Sequence, residues 1–99
     1  MESAIKLPLE AKKKYLLRRK EELVQIERMK AQIDWDFVVQ VGHQIKGNAK
    51  TFEFPSLVPL AVSLEEAGRN QDASSLAQIC TELQNLMGAL EPSLTSSFE

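Results

Sequence analysis

One cysteine and one histidine occur among the 99 residues, and that scarcity excludes several classes of protein. A single cysteine cannot close an internal disulfide, and one histidine with one cysteine gives no zinc-ligand cluster, so no structural metal is expected. Four glycines and four prolines are too few for a disordered or all-β chain. No apolar run approaches the roughly 20 residues that a membrane span needs. The N-terminus lacks a basic segment followed by a long apolar one. The expectation is a non-exported, cytoplasmic protein with no membrane partner. Catalytic parts are equally scarce: no Ser/His/Asp set with a proposable geometry, no glycine-rich phosphate loop and no acid pair placed by spacing in an evident pocket.

Hydrophobic residues at 43% and charged residues at 26% are ordinary values for a globular chain, and 99 residues suffice for one core and one domain. The net charge of −2 hides a split. Residues 1–50 hold eleven Lys and Arg against seven Asp and Glu, or +4; residues 51–99 hold one Arg against seven acids, or −6. Either a basic binding surface or two mutually attracting halves of a bundle accounts for that.

Apolar residues recur at helical spacing throughout. From Pro8 to about Ile33 there is no internal proline or glycine, and Leu9, Leu16, Leu23, Ile26 and Ile33, broadened by Leu17 and Val24, form one stripe. Lys12, Lys13, Lys14, Arg18, Arg19 and Lys20 are assigned to its exposed side. Tyr15 is the only aromatic among them and acids follow, which disfavours a nucleic-acid partner. Asp34 or Asp36 is placed to cap a second helix over about 35–51. A third helix is expected over 56–67, ended by Gly68, and a fourth over 72–91, capped by Asp72 and stopped by Pro92. Cys80 belongs to the apolar stripe of the fourth and reads as a buried thiol. Residues 1–7 read as a lead-in and SLTSSFE as a short tail. The fold class is therefore all-α, an antiparallel up-down four-helix bundle with the first helix longest.

The second helix carries the candidate chemistry. His43 shares a polar face with Gln40, Lys46, Gly47 and Lys50, while Val38, Val41, Ile45, Ala49 and Phe52 mark the buried side. Gly42 adjoins the buried side, which points to close helix packing. Gly47 lies one turn beyond His43 on the outer face, where a missing side chain clears space over the imidazole. A neutral imidazole, with a reference pKa of about 6.5, is a nucleophile at neutral pH without a separate base, and it can accept a phosphoryl group directly. Lys46 is placed to contact that group, and Lys50 to add a second positive field.

These residues resemble the histidine-containing phosphotransfer (Hpt) domains of multistep phosphorelays. The resemblance rests on His43, Ile45, Lys46, Gly47, Ala49 and Phe52, then Pro55 and Leu57, then Leu64, Glu65, Glu66 and Ala67 before the loop at Asn70 to Asp72, and it spans roughly residues 10 to 90. It implies a phosphoryl carrier rather than a complete enzyme. His43 would accept phosphate from a receiver-domain aspartate and pass it on reversibly, with no cofactor of its own and with Mg²⁺ on the receiver. It also implies that Lys46 faces the phosphoryl group and Gly47 gives access. Two positions depart from the family pattern: Glu53 stands where a second glycine is usual, and Lys50 where a small residue is common. The expected partners are response-regulator receiver domains and a hybrid histidine kinase, docking around His43 on an exposed Val39, with Gln40, Gln44, Lys46 and Lys50 as the rim. An Hpt-like adaptor that binds a receiver or kinase without being phosphorylated is the alternative. The short ends and Met1 lead to the expectation of a free-standing protein, and a monomer is the expected state.

Overall fold

The computed structural model describes residues 8–95. The lead-in expected over 1–7 and the last four residues of the expected tail lie outside that range. Four helices pack together: α1 (Leu9–Met29), α2 (Trp35–Asn48), α3 (Val58–Arg69), which a short 3₁₀ turn (Pro55–Leu57) precedes, and α4 (Ala73–Thr95). No strand occurs among the described residues. The fold is an all-helical four-helix bundle, as the periodicity predicts.

One shared core fills the bundle, built from Leu16, Leu23 and Ile26 of α1, Val38, Val41 and Ile45 of α2, Leu57, Ala61 and Leu64 around α3, and Leu76, Cys80, Leu83 and Met87 of α4. On α1 the stripe is narrower than the sequence implies. Leu17 is 55% exposed and Val24 38%, while Tyr15 and Arg19 take the inward places. Arg19, assigned to the exposed side, is a correction. It lies between Leu16 and Leu23 on the same face, its guanidinium 5.1 Å from the Tyr15 ring centroid, and Nη2 donates to Glu22 Oε2 at 3.0 Å. Tyr15 itself stacks on Phe52 at 4.2 Å and donates its hydroxyl hydrogen to Asn48 Oδ1 at 2.6 Å. Ion pairs Lys12–Glu53 at 2.5 Å and Lys20–Glu91 at 2.7 Å join the basic half of the chain to the acidic half.

Helix beginnings follow the sequence, and helix ends do not. Asp34 caps α2 by accepting from the Phe37 amide at 3.1 Å, and Asp72 caps α4 by accepting from Ser75 N at 3.1 Å and Ser75 Oγ at 2.8 Å. The first helix, however, stops at Met29 rather than Ile33, where Lys30 turns to φ 54°. The second stops at Asn48, three residues short of Thr51. There the Phe54 amide donates to Ala49 O at 2.8 Å and the Glu53 amide to Lys50 O at 2.9 Å, a Schellman turn with Glu53 at φ 69°. Gly68 does not end α3; it is buried inside the helix. The same turn follows it instead, with Gln71 at φ 52° and bonds from Asp72 N to Ala67 O (2.9 Å) and from Gln71 N to Gly68 O (3.2 Å).

Nor does Pro92 stop α4, which continues to Thr95 and at 23 residues exceeds the 21 of α1. A proline withholds its N–H from the carbonyl four residues back, here that of Gly88. Gly88 and Pro92 are both exposed, so water can reach that carbonyl, and Gly88 has no side chain to crowd the ring.

Candidate functional site

His43 sits midway along α2, and the position of α3 decides what lies beneath it. A Cβ on Gly42 would fall 2.6 Å from Glu65 N, 2.9 Å from Glu65 Cα and 3.0 Å from Ala61 O; one on Gly68 would fall 2.8 Å from Val39 Cγ2 and 3.0 Å from Val39 N. Two glycines, one on each helix, therefore let the backbones of α2 and α3 approach within side-chain contact distance. The close packing expected at Gly42 is present, and Gly68 supplies its counterpart. As a result Glu65 of α3 lies directly under the His43 face.

Four charged or titratable side chains meet there. The Glu65 side chain is only 3% exposed; Oε2 is 3.3 Å from His43 Nδ1 and 2.8 Å from Arg69 Nη2, and Oε1 is 2.7 Å from Lys46 Nζ. Burial alone would raise the Glu65 pKa, but the hydrogen bond from Lys46, aided by the charges of Arg69 and Lys46 and by the His43 contact, holds it below the usual carboxylate range. Glu65 is thus ionised at neutral pH and can only accept. The hydrogen in its contact with His43 must then sit on Nδ1, which in the neutral ring leaves the lone pair on Nε2. The His43 side chain is 67% exposed, so that lone pair faces solvent.

The expected residues divide into two groups around this point. Lys46 is part of the cluster and 37% exposed. Gly47 is exposed, and a Cβ there would meet nothing within 4 Å, the His43 ring included. Val39, taken as an exposed neighbour, is only half exposed because it packs on Gly68. Gln40 and Gln44 point the other way, into a groove of about 700 Å³ between α1 and α2 that Lys14, Arg18, Phe37 and Phe52 also line. Lys50 lies beyond the end of α2 in the following turn, and the second cation tied to the cluster is Arg69.

Sequence reasoning missed the roles of Glu65 and Arg69. A signal was available: four residues apart, they flank Gly68, and Glu65 stands beside the apolar positions Ala61 and Leu64 on a helix face where a carboxylate needs a partner. Among the described residues there is no group of three or more His, Cys, Asp and Glu that could hold a metal ion, and no helix is long and apolar enough to cross a membrane.

The helical bundle thus presents one exposed histidine against a buried carboxylate, with two cations beside it. Residues 14–93 match the family model of the Hpt domain, and the chain belongs to that family. Members act in histidine phosphotransfer in two-component systems, interacting with receiver domains and histidine kinases. No curated protein matches the chain, and no solved structure does.

Proposed function

We propose that this chain is a phosphoryl carrier in a phosphorelay, with Nε2 of His43 taking the phosphoryl group from a receiver-domain phospho-aspartate and returning it to another receiver. The observation that carries the reading is the contact of His43 Nδ1 with a buried, ionised Glu65, which directs the other nitrogen outward as the nucleophile. The reaction then needs little else from this protein. The phosphoryl group brings up to two negative charges, and Lys46 and Arg69, both exposed enough to swing from Glu65 to its oxygens, supply charge-assisted hydrogen bonds. Gly47 leaves the approach open, and the Mg²⁺ and acidic pocket belong to the receiver.

The receiver would dock over His43 with Val39 on the α3 side and Gln40 and Gln44 on the α1 side, and Lys50 at the end of α2. Lys14 is exposed and lines the groove with Arg18, whereas Lys12 is engaged by Glu53. Partner choice by charge thus rests on Lys14 and Arg18, through encounter rate more than affinity. Incubation with a phosphorylated receiver tests the proposal. Acid-labile, base-stable label should appear on the wild type and not on His43→Ala. Lys46→Met should slow transfer by roughly 10- to 100-fold, the worth of one hydrogen bond to a charged group. Charge reversal at Lys14 and Arg18 should slow it in a salt-dependent way. Equal label on His43→Ala, or no label from any receiver offered, would refute the carrier reading; unchanged rates after charge reversal would remove the role of the groove.

A further inference from the structure

The carrier reading uses one nitrogen of His43, and the other has a chemistry of its own. When the Nε2 lone pair attacks an acyl phosphate, an N–P bond forms, the P–O bond to the donor breaks, and its electron pair leaves with the donor's carboxylate oxygen. No proton moves. Nδ1 keeps its hydrogen, so the ring acquires a positive charge that the neutral imidazole lacked. That charge forms 3.3 Å from Glu65 Oε2, on a side chain only 3% exposed, where it is little screened by water.

We infer that Glu65 holds the proton on Nδ1 of phosphorylated His43, so that the ring always departs as neutral imidazole when the phosphoryl group moves on. Were the Nδ1 proton lost first, departure would have to generate an imidazolide anion, a far poorer leaving group, and the carrier would stall as pH rises. The inference rests on the phosphoryl-carrier reading and extends it to the step in which the carrier gives its cargo up.

The groups facing the ring are Lys46 from α2 and Glu65 and Arg69 from α3; α1 contributes Lys14 and Arg18 at the groove on the other side of α2. Lys46 and Arg69 oppose a cationic ring, and in the free protein they share Glu65 with it. Their exposures of 37% and 62% leave them able to turn to the doubly charged phosphoryl oxygens. Arg69 and Nδ1 contact the same oxygen, Oε2, so each cation that leaves gives Nδ1 a stronger hold on the carboxylate.

The test needs no receiver. The protein is phosphorylated with phosphoramidate, a small phosphoryl donor, and the ring titration is followed by ¹⁵N and ³¹P NMR alongside the rate of dephosphorylation against pH. Glu65→Gln keeps the shape and an acceptor oxygen but removes the charge. Its phosphorylated ring should titrate at least about one pH unit lower than wild type, and above the wild-type midpoint its dephosphorylation should be roughly tenfold slower. Arg69→Ala, an exposed change, should move the midpoint upward by removing a positive charge that opposes the cationic ring. Coincident midpoints for wild type and Glu65→Gln, or a downward move in Arg69→Ala, would overturn the inference. A chain that titrates as expected yet takes no phosphoryl group from any receiver would sustain this inference and refute the carrier reading alone.

Discussion

Glu53 and Gln71 both hold positive φ, 69° and 52°, a conformation that costs an L-residue about 1–2 kcal/mol and glycine nothing. Against that gain, a new glycine loosens the unfolded chain by about 0.4–1 kcal/mol. Gln71→Gly should therefore stabilise the protein by about 0.5–1 kcal/mol, raising Tm by a few degrees in a thermal scan. Glu53→Gly should gain less, because it also removes the ion pair with Lys12, worth a few tenths of a kcal/mol at such exposure. An equal or larger gain at Glu53 would show that the ion pair contributes nothing. The sequence flagged Glu53 because a glycine is usual there, and the strained turn explains the preference. Nothing comparable flagged Glu65, since His43 and Lys46 lie 22 and 19 positions away on α2 and meet it only through the packing of two helices.

At the scale of the helices, glycine marks close approach rather than termination. All four glycines have negative φ, so Gly68 as a helix stop was a misreading. The apolar stripes, the caps and the order of helices are local properties and were legible. The helix ends were not, because turns built on Lys30, Glu53 and Gln71 carry no glycine to announce them. The consequence for substitution is opposite at two positions five residues apart on α2. Gly42→Ala forces a methyl group against the backbone of Glu65 and Ala61, which cannot yield as a side chain can, and should cost about 1–3 kcal/mol or more in chemical denaturation. Gly47→Ala meets nothing within 4 Å and should stabilise the helix by up to ~1 kcal/mol while slowing receiver transfer. A Gly47→Ala protein that is both more stable and equally fast would remove the clearance role.

For the whole molecule, alkaline pH probes the core. Burial pushes the Tyr15 hydroxyl up to about 12 from 10.0, and burial with the nearby Glu27 charge pushes the Cys80 thiol up to about 11 from 9.0. Both are acids whose folded pKa lies above the unfolded value, so the unfolded chain loses protons first. Their contribution to stability is complete below about pH 9 and is lost as pH rises, over 9–11 for Cys80 and 10–12 for Tyr15. Each is worth about 2–3 kcal/mol once fully titrated. The urea midpoint should fall across this range, and Tyr15→Phe should flatten its upper part; a flat profile in the wild type would show that neither group is sealed from water.

The bundle is also unequal in how its helices are joined. Helices α2 and α3 touch backbone to backbone at Gly42 and Gly68, whereas α1 meets α2 more thinly, through side chains such as Tyr15 and Asn48 beside an open groove. His43, Glu65, Lys46 and Arg69 all ride on the tightly joined pair. Mechanically, the site is one block: the histidine, its carboxylate and both cations keep their register through α2 and α3 alone, while α1 is anchored elsewhere, to α4 and the shared core.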